Sequence, residues 1–172
     1  PVARTMHSMV NRTAPGFSFC VKAYREMTHE RPELPEAEAE QFAQFLSALS
    51  PLQAAGRLGC VLLQFPWSFR PGAGSEGYVA RCRELLGDVG AVVEFRNAEW
   101  VAGERLGRTS AMLSDLRFGY CCVDEPRLKG LVPPVVLATS NIGYVRFHGR
   151  NAAKWWHHEV ASERYDYLYS EA

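Results

Sequence analysis

Two short apolar segments each carry a pair of charged or titratable side chains near their C-terminal ends. The segment AVVEFRN contains Glu94 and Arg96, and the segment GYVRFHGR contains Arg146 and His148. Because side chains alternate in direction along a β-strand, each pair shares one face of its strand. A carboxylate and an imidazole can transfer protons near neutral pH, and a guanidinium group can bind an anion through two hydrogen bonds. The spacing therefore predicts acid/base chemistry on an anionic molecule.

Three further apolar segments also end in a polar side chain. Lys22 ends the first of them, Gln64 ends the second, and Asp124 ends the segment GYCCVD. A charge on a strand face that is covered by helices would be buried away from water, which is costly unless the charge is paired. We therefore expect these groups to point inward at the mouth of a barrel, where (β/α)8 enzymes place their chemistry.

The segments that carry these residues alternate with amphipathic, helix-like segments. Apolar spacing predicts helices that begin at Pro35 and cover 75–86 and 106–116, and it predicts strands over 17–24, 59–66, 91–97, 119–126 and 143–150. The strands are almost continuous apolar runs, as in parallel sheets that are covered on both faces. The sequence thus predicts an α/β fold with about five parallel strands and covering helices, which together form part of a TIM or (β/α)8 barrel.

Several longer stretches form a recognisable set of landmarks, namely PGFSFCVKAYREMTH, LGCVLLQFPWSF, VVEFRNAEW, VDEP and YVRFHGRN followed by RYDYLYS. Together they resemble the YecE-like family, the domain of unknown function 72, whose members have a (β/α)8 barrel. The resemblance covers essentially the whole chain. It implies that residues 1–172 form a single domain, the central part of the barrel, whose strands correspond to the third through seventh. Because such barrels typically need ~250 residues, we expect the chain to be a fragment of a longer one.

The resemblance also implies a set of pocket residues, although the family has no established reaction. We assign catalytic roles to Glu94, Asp124 and His148. We assign substrate-binding roles to Lys22, His29, Gln64, Arg96, Trp100, Arg146 and Arg150. A structural interpretation competes with each assignment, because the charged residues could form an internal ion-pair network and Gln64 could satisfy a carbonyl at a strand end.

Three functions are consistent with these residues, and no motif identifies a cofactor. The first is an enzyme that acts on a phosphorylated or other anionic small substrate, with Glu94 or Asp124 as general base and His148 as acid or base. The second is a non-catalytic protein that binds nucleotides or single-stranded nucleic acid, because residues 144–169 interleave aromatic and basic side chains. The third is a divalent-metal-dependent hydrolase in which Glu94, Asp124 and His148 hold the ion, although the neighbouring arginines would compete for the carboxylates.

Composition limits the partners and the compartment. The 19 basic and 19 acidic residues balance, so net charge gives no support for bulk attraction to nucleic acid or to an anionic membrane. The five cysteines include no CxxC pair, which argues against a zinc site and fits a reducing compartment better than a disulfide framework. No apolar window approaches the ~18 residues that a membrane-spanning helix requires. We therefore expect a cytoplasmic protein with no membrane partner.

Overall fold

Strands and helices alternate along most of the chain in the computed structural model, which describes residues 2–170. The strands are β1 (Phe19–Lys22), β2 (Leu58–Gln64), β3 (Ala91–Glu94), β4 (Gly119–Asp124) and β5 (Tyr144–Phe147). The α-helices are α1 (Ala3–Asn11), α2 (Arg25–Thr28), α3 (Pro35–Ala54), α4 (Ala73–Leu86) and α5 (Arg105–Asp115), and short 3-10 helices cover Ala98–Val101 and Ala161–Tyr165. Across this described part of the chain, every helix is too short or too polar to span a membrane.

The five strands follow one another in the sheet in chain order, β1-β2-β3-β4-β5. β1 pairs with β2 in parallel, and β4 pairs with β5 in parallel. Parallel neighbours need a crossover connection. Helices provide it after β1, β2 and β3, whereas a long loop without regular structure joins β4 to β5. The predicted α/β fold with five parallel strands is confirmed.

The chain divides into two compact units. The first ends at Phe65 and resumes over Gly72–Val93, and the second comprises Pro66–Pro71 and the described residues from Glu94 onward.

The first unit is built on the apolar face of α3. This helix begins with Pro35 in its first turn, a position where the missing N–H of proline leaves no hydrogen bond unmade. Phe42, Phe45 and Leu49 then recur at helical spacing and are almost completely buried. The Tyr78 hydroxyl on α4 donates a hydrogen bond of 2.7 Å to the carbonyl of Met27, so this buried hydroxyl has a partner within the core.

The second unit has an aromatic core that follows the end of β3. The rings of Phe95 and Trp100 stack with centroids 4.1 Å apart, and Phe69 stacks on Trp100 at 5.6 Å. The buried indole N–H of Trp100 donates to the Phe69 carbonyl at 2.7 Å. This stack fixes the segment that runs from Glu94 into the 3-10 helix, and it thereby fixes the residues that β3 presents at its C-terminal end.

Helices α1 and α2 were not predicted, because the first helix expected from the sequence pattern begins at Pro35. Helix α1 is not apparent in the sequence pattern, because Met6 is its one buried residue. The C-terminal end of the helix also has a partner that is distant in sequence, since Arg57 Nη1 donates a hydrogen bond of 2.8 Å to the Val10 carbonyl. Within residues 144–169, which interleave aromatic and basic side chains, the segment around Trp155 and Trp156 forms turns and bends. Trp155 is buried there, whereas Trp156 is about half exposed.

β5 presents an apolar face to water within the described part of the chain. The side chains of Val145 and Phe147 are 56% and 69% exposed, and they alternate with the inward-pointing Arg146. β5 is also the last strand in the sheet order of the described residues, so this apolar face lies at an edge of the sheet.

Candidate functional site

Glu94 is the centre of a buried polar cluster in the second unit. It is the last residue of β3, and none of its side chain is exposed. Its Oε2 accepts a hydrogen bond of 2.5 Å from Arg146 Nη1, and its Oε1 accepts one of 3.1 Å from Arg96 Nη1. The third neighbour is His148, whose Nε2 lies 3.0 Å from Oε1. We call Glu94, Arg96, Glu125, Arg146 and His148 the Glu94 cluster.

Strand register explains why these side chains meet. Arg146 lies opposite Val123 in the parallel pairing of β4 with β5, and the His148 backbone N–H donates to the Asp124 carbonyl at 2.8 Å, which extends that pairing past the end of β5. Arg146 and His148 are two residues apart and therefore point to the same side. The fold thus brings the carboxyl ends of β3, β4 and β5 together around one carboxylate.

The environment of Glu94 keeps its side chain ionised. Burial by itself raises the pKa of this carboxyl group, because a buried charge loses its hydration. The hydrogen bond with His148 and the positive charges of Arg146 and Arg96 outweigh burial and lower the pKa to about 2. Such a carboxylate is a weak proton acceptor at neutral pH, so its main effect is to hold the two arginines and the histidine in place.

His148 lies between a donor and an acceptor that compete for the same ring nitrogen. Its Nε2 lies 2.8 Å from Arg96 Nη1 and 3.0 Å from Glu94 Oε1. A guanidinium group can only donate, so the contact with Arg96 needs a bare Nε2, whereas an ionised carboxylate needs a protonated one. Only one of these hydrogen bonds can form at a time. The proton on this ring is therefore coupled to the positions of Arg96 and Glu94.

Arg96 links the two carboxylates of the cluster. Its Nη1 bonds to Glu94, and its Nη2 lies 3.0 Å from Glu125 Oε2. The guanidinium carbon also lies 5.6 Å from the centre of the buried Trp155 ring, which is within the range of a cation–π interaction. These contacts restrain the side chain on three sides and leave it only 13% exposed.

Glu125 belongs to the cluster, although the sequence directed attention to its neighbour Asp124. The Glu125 side chain is buried, and its Oε1 accepts a hydrogen bond of 2.8 Å from the Val132 backbone N–H. Within the described residues its Oε2 has no hydrogen-bond donor, because the contact with Arg96 is close but poorly aligned. Burial raises the pKa of Glu125, and the charge of Arg96 opposes this effect only in part. Glu125 is thus the carboxyl group of the cluster that most readily holds a proton.

Alternation along β4 distinguishes Glu125 from Asp124 once one residue of the strand is known to face Glu94. In VDEP, this residue has the same parity as Cys121 and Val123, and Cys121 lies on the Glu94 side of β4 with its Sγ 3.9 Å from Glu94 Oε2. Strand alternation therefore directs Glu125 toward Glu94 and directs Asp124 elsewhere.

Asp124 forms a separate pair with Arg150 next to the cluster. Its two oxygens accept hydrogen bonds of 2.8 Å and 2.5 Å from Arg150 Nε and Nη2, and the Tyr169 hydroxyl donates to Oδ1 at 3.0 Å. The hydrogen bonds from Arg150 are the main reason that the pKa of Asp124 is lowered. The same Tyr169 hydroxyl accepts a hydrogen bond from the Gly149 N–H at 3.1 Å. The pair is therefore tied to the loop that follows β5.

Gly149 allows this loop to pass close to the tyrosines. Its φ is +80°, in the left-handed region that favours glycine, and a Cβ at this position would lie 2.8 Å from the Cβ of Tyr167. No other residue fits here without a shift of the chain.

The remaining predicted site residues lie elsewhere. Trp100 is in the second unit, but it is fully buried in the aromatic core. Lys22, His29 and Gln64 are in the first unit. Lys22 and His29 line a cleft of about 370 Å³ together with Arg25, and burial, followed by the charges of Lys22 and Arg25, lowers the pKa of His29. The roles of these four residues in binding stay predictions.

The donor set gives the metal hypothesis no support. Among residues 2–170, no three or more His, Cys, Asp and Glu side chains are grouped as ligands for a metal ion. Glu94 and His148 are adjacent, but Asp124 is engaged by Arg150 and Tyr169.

Comparison with known proteins gives a consistent family. The chain is 36% identical over 157 residues to the UPF0759 protein YunF of Bacillus subtilis strain 168, a match that covers 89% of this chain and 56% of YunF. Crystal structures of DUF72 family proteins are similar as well. The structure from Thermotoga maritima MSB8 has a TM-score of 0.86 and 34% sequence identity, and the match covers 99% of this chain and 63% of the Thermotoga chain. The structure from Enterococcus faecalis V583 has a TM-score of 0.90 and 26% sequence identity, and the match covers 99% of this chain and 64% of the Enterococcus chain.

The chain spans a little over half of YunF and under two thirds of the two crystallised relatives. The family described as "Protein of unknown function DUF72" matches residues 1–172. The chain therefore belongs to the DUF72 family.

Proposed function

We propose that this chain supplies the third through seventh strands of a (β/α)8 barrel, and that the Glu94 cluster lies at the C-terminal mouth of that barrel. There it takes part in acid/base chemistry on a phosphorylated or other anionic small molecule. The parallel strand order and the greater length of the relatives support the barrel. The position of the cluster at the carboxyl ends of β3, β4 and β5 supports the site, because barrels of this kind place their chemistry at those ends.

The observation that carries the proposal is the position of His148 Nε2 between Arg96 and Glu94, at 2.8 Å and 3.0 Å. Imidazole groups serve as general acids or bases in many enzymes. A negatively charged group that attracts Arg96 would leave His148 paired with Glu94. Binding of an anion would thereby change Nε2 from a hydrogen-bond acceptor to a donor.

The accessible arginines favour an anion as the ligand. Arg146 has 31% of its side chain exposed, compared with 13% for Arg96, and Arg150 is more exposed than either. Guanidinium groups bind phosphate and carboxylate groups in a forked geometry that lysine cannot reproduce. Arg146 and Arg150 are therefore proposed to contact the ligand, with His148 as the proton carrier and Glu94 as the group that positions them.

Unbiased metabolite capture tests the proposal. The folded chain is incubated with a bacterial metabolite extract, washed and denatured, and the released compounds are identified by mass spectrometry. We expect an anionic compound to be enriched by the unaltered chain and lost with Arg146→Ala. Arg108→Ala removes an exposed arginine of the same unit that lies outside the cluster, so it should retain the compound. Equal capture by the Arg146→Ala and unaltered chains would contradict the proposal, as would the absence of any enriched anion.

A catalytic role requires turnover of the captured compound. We expect its conversion to depend on pH and to be reduced at least ~100-fold in His148→Gln, since general acid/base groups typically contribute that much. Binding of the compound without conversion would show that this chain binds the compound and does not catalyse its reaction.

Exposed aromatic side chains favour one alternative, a nucleotide or single-stranded nucleic-acid binder. Phe147 and Trp156 are more than half exposed, and Tyr165 is about half exposed. The Arg164 guanidinium carbon lies 5.9 Å from the centre of the Tyr165 ring. Aromatic platforms beside cations are typical of single-strand binding surfaces. This alternative predicts affinity for an oligonucleotide that falls steeply as salt is added, whereas the first proposal predicts weak or absent binding.

We also propose a cytoplasmic location. The cysteines among the described residues are all free thiols, which fits a reducing compartment. Fractionation of cells that express the tagged chain would test it.

A further inference from the structure

Two cysteines of the first unit lie side by side on paired strands. Cys20 in β1 and Cys60 in β2 are direct partners in the parallel pairing, and their sulfur atoms are 3.5 Å apart. Side chains of directly opposed residues leave the sheet on the same face. A disulfide bond is about 2.05 Å long, so the sulfurs need to approach by roughly 1.5 Å to bond.

A local irregularity of the sheet creates this pairing. The register shifts between Phe19 and Cys20, so that Phe19 faces Leu58 while Cys20 faces Cys60, and Gly59 is passed over. A Cβ on Gly59 would lie 3.4 Å from the Phe19 carbonyl oxygen and 3.7 Å from the Cys20 sulfur. These are ordinary van der Waals distances, so Gly59 borders the thiol pair, and the shift in register is what brings the two thiols together. In a regular register Cys20 would face Gly59, and no such pair would form.

From this geometry we infer that Cys20 and Cys60 form a reversible disulfide site, which thiol oxidants such as hydrogen peroxide close. The two thiols differ in access, which sets their order of reaction. Cys20 is exposed, whereas Cys60 is buried, so peroxide reaches Cys20 first.

The chemistry balances with peroxide as the only co-reactant. The Cys20 thiolate attacks one peroxide oxygen, the O–O bond breaks, and a sulfenic acid and hydroxide are formed. The Cys60 sulfur then attacks the Cys20 sulfur, so that the S–S bond forms as the S–O bond breaks, and the hydroxyl group leaves with the Cys60 proton as water. In total two thiols lose two hydrogens, and one peroxide becomes two waters.

The second step should be the slow one at neutral pH. Burial, reinforced by the contact with Cys20, raises the pKa of Cys60 to about 12. A protonated thiol is a poor nucleophile, so the rate of closure should rise as the pH is raised from neutral toward alkaline values.

Peptide mapping of the whole chain tests the inference. The reduced protein is treated with hydrogen peroxide, its remaining thiols are alkylated, and it is digested with trypsin. Cleavage after Arg12, Lys22, Arg57 and Arg81 places Cys20 in the peptide 13–22 and Cys60 in the peptide 58–81, each with one cysteine. We expect these two peptides to be joined in monomeric protein and to separate again with dithiothreitol. Cys20→Ser and Cys60→Ser should each abolish the linked species, and Cys122→Ser, which changes a half-buried thiol of the second unit, should retain it.

Other results would overturn the inference. They are a disulfide that joins Cys20 residues of two separate molecules, oxidation of Cys20 to sulfinic acid with no linked peptide, and a linkage that involves a different cysteine. Cys20→Ser alters an exposed side chain and should fold even if the buried Cys60→Ser does not, so circular dichroism of both variants keeps the test decisive. A second readout is the melting temperature, which should rise on oxidation in the unaltered chain and stay constant in Cys20→Ser.

Discussion

The carboxylate of Glu94 lies 3.0 Å from the Nε2 atom of His148, and both side chains are buried. The distance is that of a hydrogen bond, but it forms only when the ring nitrogen carries a proton. Because Arg96 and Arg146 also bond to Glu94, its negative charge is shared among three partners. A change at this one carboxylate should therefore affect all three partners.

Replacement of Glu94 by Gln should destabilise the fold at neutral pH. The carboxyl group has a pKa of about 2 in the folded chain and 4.5 in an unfolded one. Its ionised form thus contributes about 3 kcal/mol to the free energy of unfolding, in agreement with the cost of breaking a buried ion pair. Because the folded pKa is the lower one, this contribution is complete above pH 4.5 and disappears as the pH falls through 2. Urea unfolding should show a large difference between Glu94→Gln and the unaltered chain at pH 7 and a smaller one at pH 3.

Glu104→Gln provides the control for this measurement, because it removes an exposed carboxylate of the same unit. Its stability should follow that of the unaltered chain at both pH values. A Glu94→Gln variant as stable as this control at pH 7 would show that the ion pairs contribute nothing.

Replacement of Glu125 by Gln should have a much smaller effect. Burial raises the pKa of this group in the folded chain, so ionisation of Glu125 opposes folding, and the stability that its protonated form provides is lost as the pH rises through the folded pKa. The amide of Gln can still accept the hydrogen bond from the Val132 N–H. We expect a loss of less than about 1 kcal/mol at pH 7, since the contact with Arg96 is poorly aligned and the desolvation cost is removed. A loss equal to that of Glu94→Gln in the same urea titration would be the contrary result.

Tyr169→Phe should weaken the Asp124–Arg150 pair without removing it. The hydroxyl donates to Asp124 and accepts from Gly149, and its loss should cost about 1 kcal/mol in the free energy of unfolding. Since the hydrogen bond from Tyr169 helps to lower the pKa of Asp124, that pKa should rise in the variant, which a carboxyl NMR titration can follow. Tyr167→Phe serves as the comparison and should leave the Asp124 titration unchanged.

Gly149→Ala should destabilise the loop after β5. The positive φ and the 2.8 Å approach to the Tyr167 Cβ both oppose a side chain, and together they should cost about 2 kcal/mol. Gly143→Ala, just before β5, meets nothing within 4 Å and has no positive φ. Thermal unfolding should separate the two variants clearly, and equal melting temperatures would refute the steric argument.

The five strands and the longer helices could be predicted from the sequence. Strands that are covered on both faces appear as uninterrupted apolar runs, and helices that are buried on one face show apolar residues at helical spacing. Glu94, Arg96, Arg146 and His148 were accessible for a related reason, since alternation along a strand sets which side chains share a face. The structure groups these four residues, and their roles in catalysis or binding stay predictions.

Other features depend on contacts between residues that are distant in sequence. Helix α1 needs the guanidinium of Arg57 at its C-terminal end, and no local pattern shows that partner. Trp155 is buried by its contacts with Arg96 and Tyr165 and lies outside any helix. Glu125 was missed because Asp124 and Glu125 are adjacent carboxylates, and only the side on which Cys121 meets Glu94 tells them apart.

The outer side of β5 has a practical consequence for work with this polypeptide. Val145 and Phe147 expose apolar side chains on the last strand in the sheet order of the described residues, and an exposed apolar edge strand favours association with other copies of the chain. The average molar mass measured by light scattering should therefore increase with protein concentration. Phe147→Lys should suppress that increase, because it adds a charge to the surface through which the chains associate.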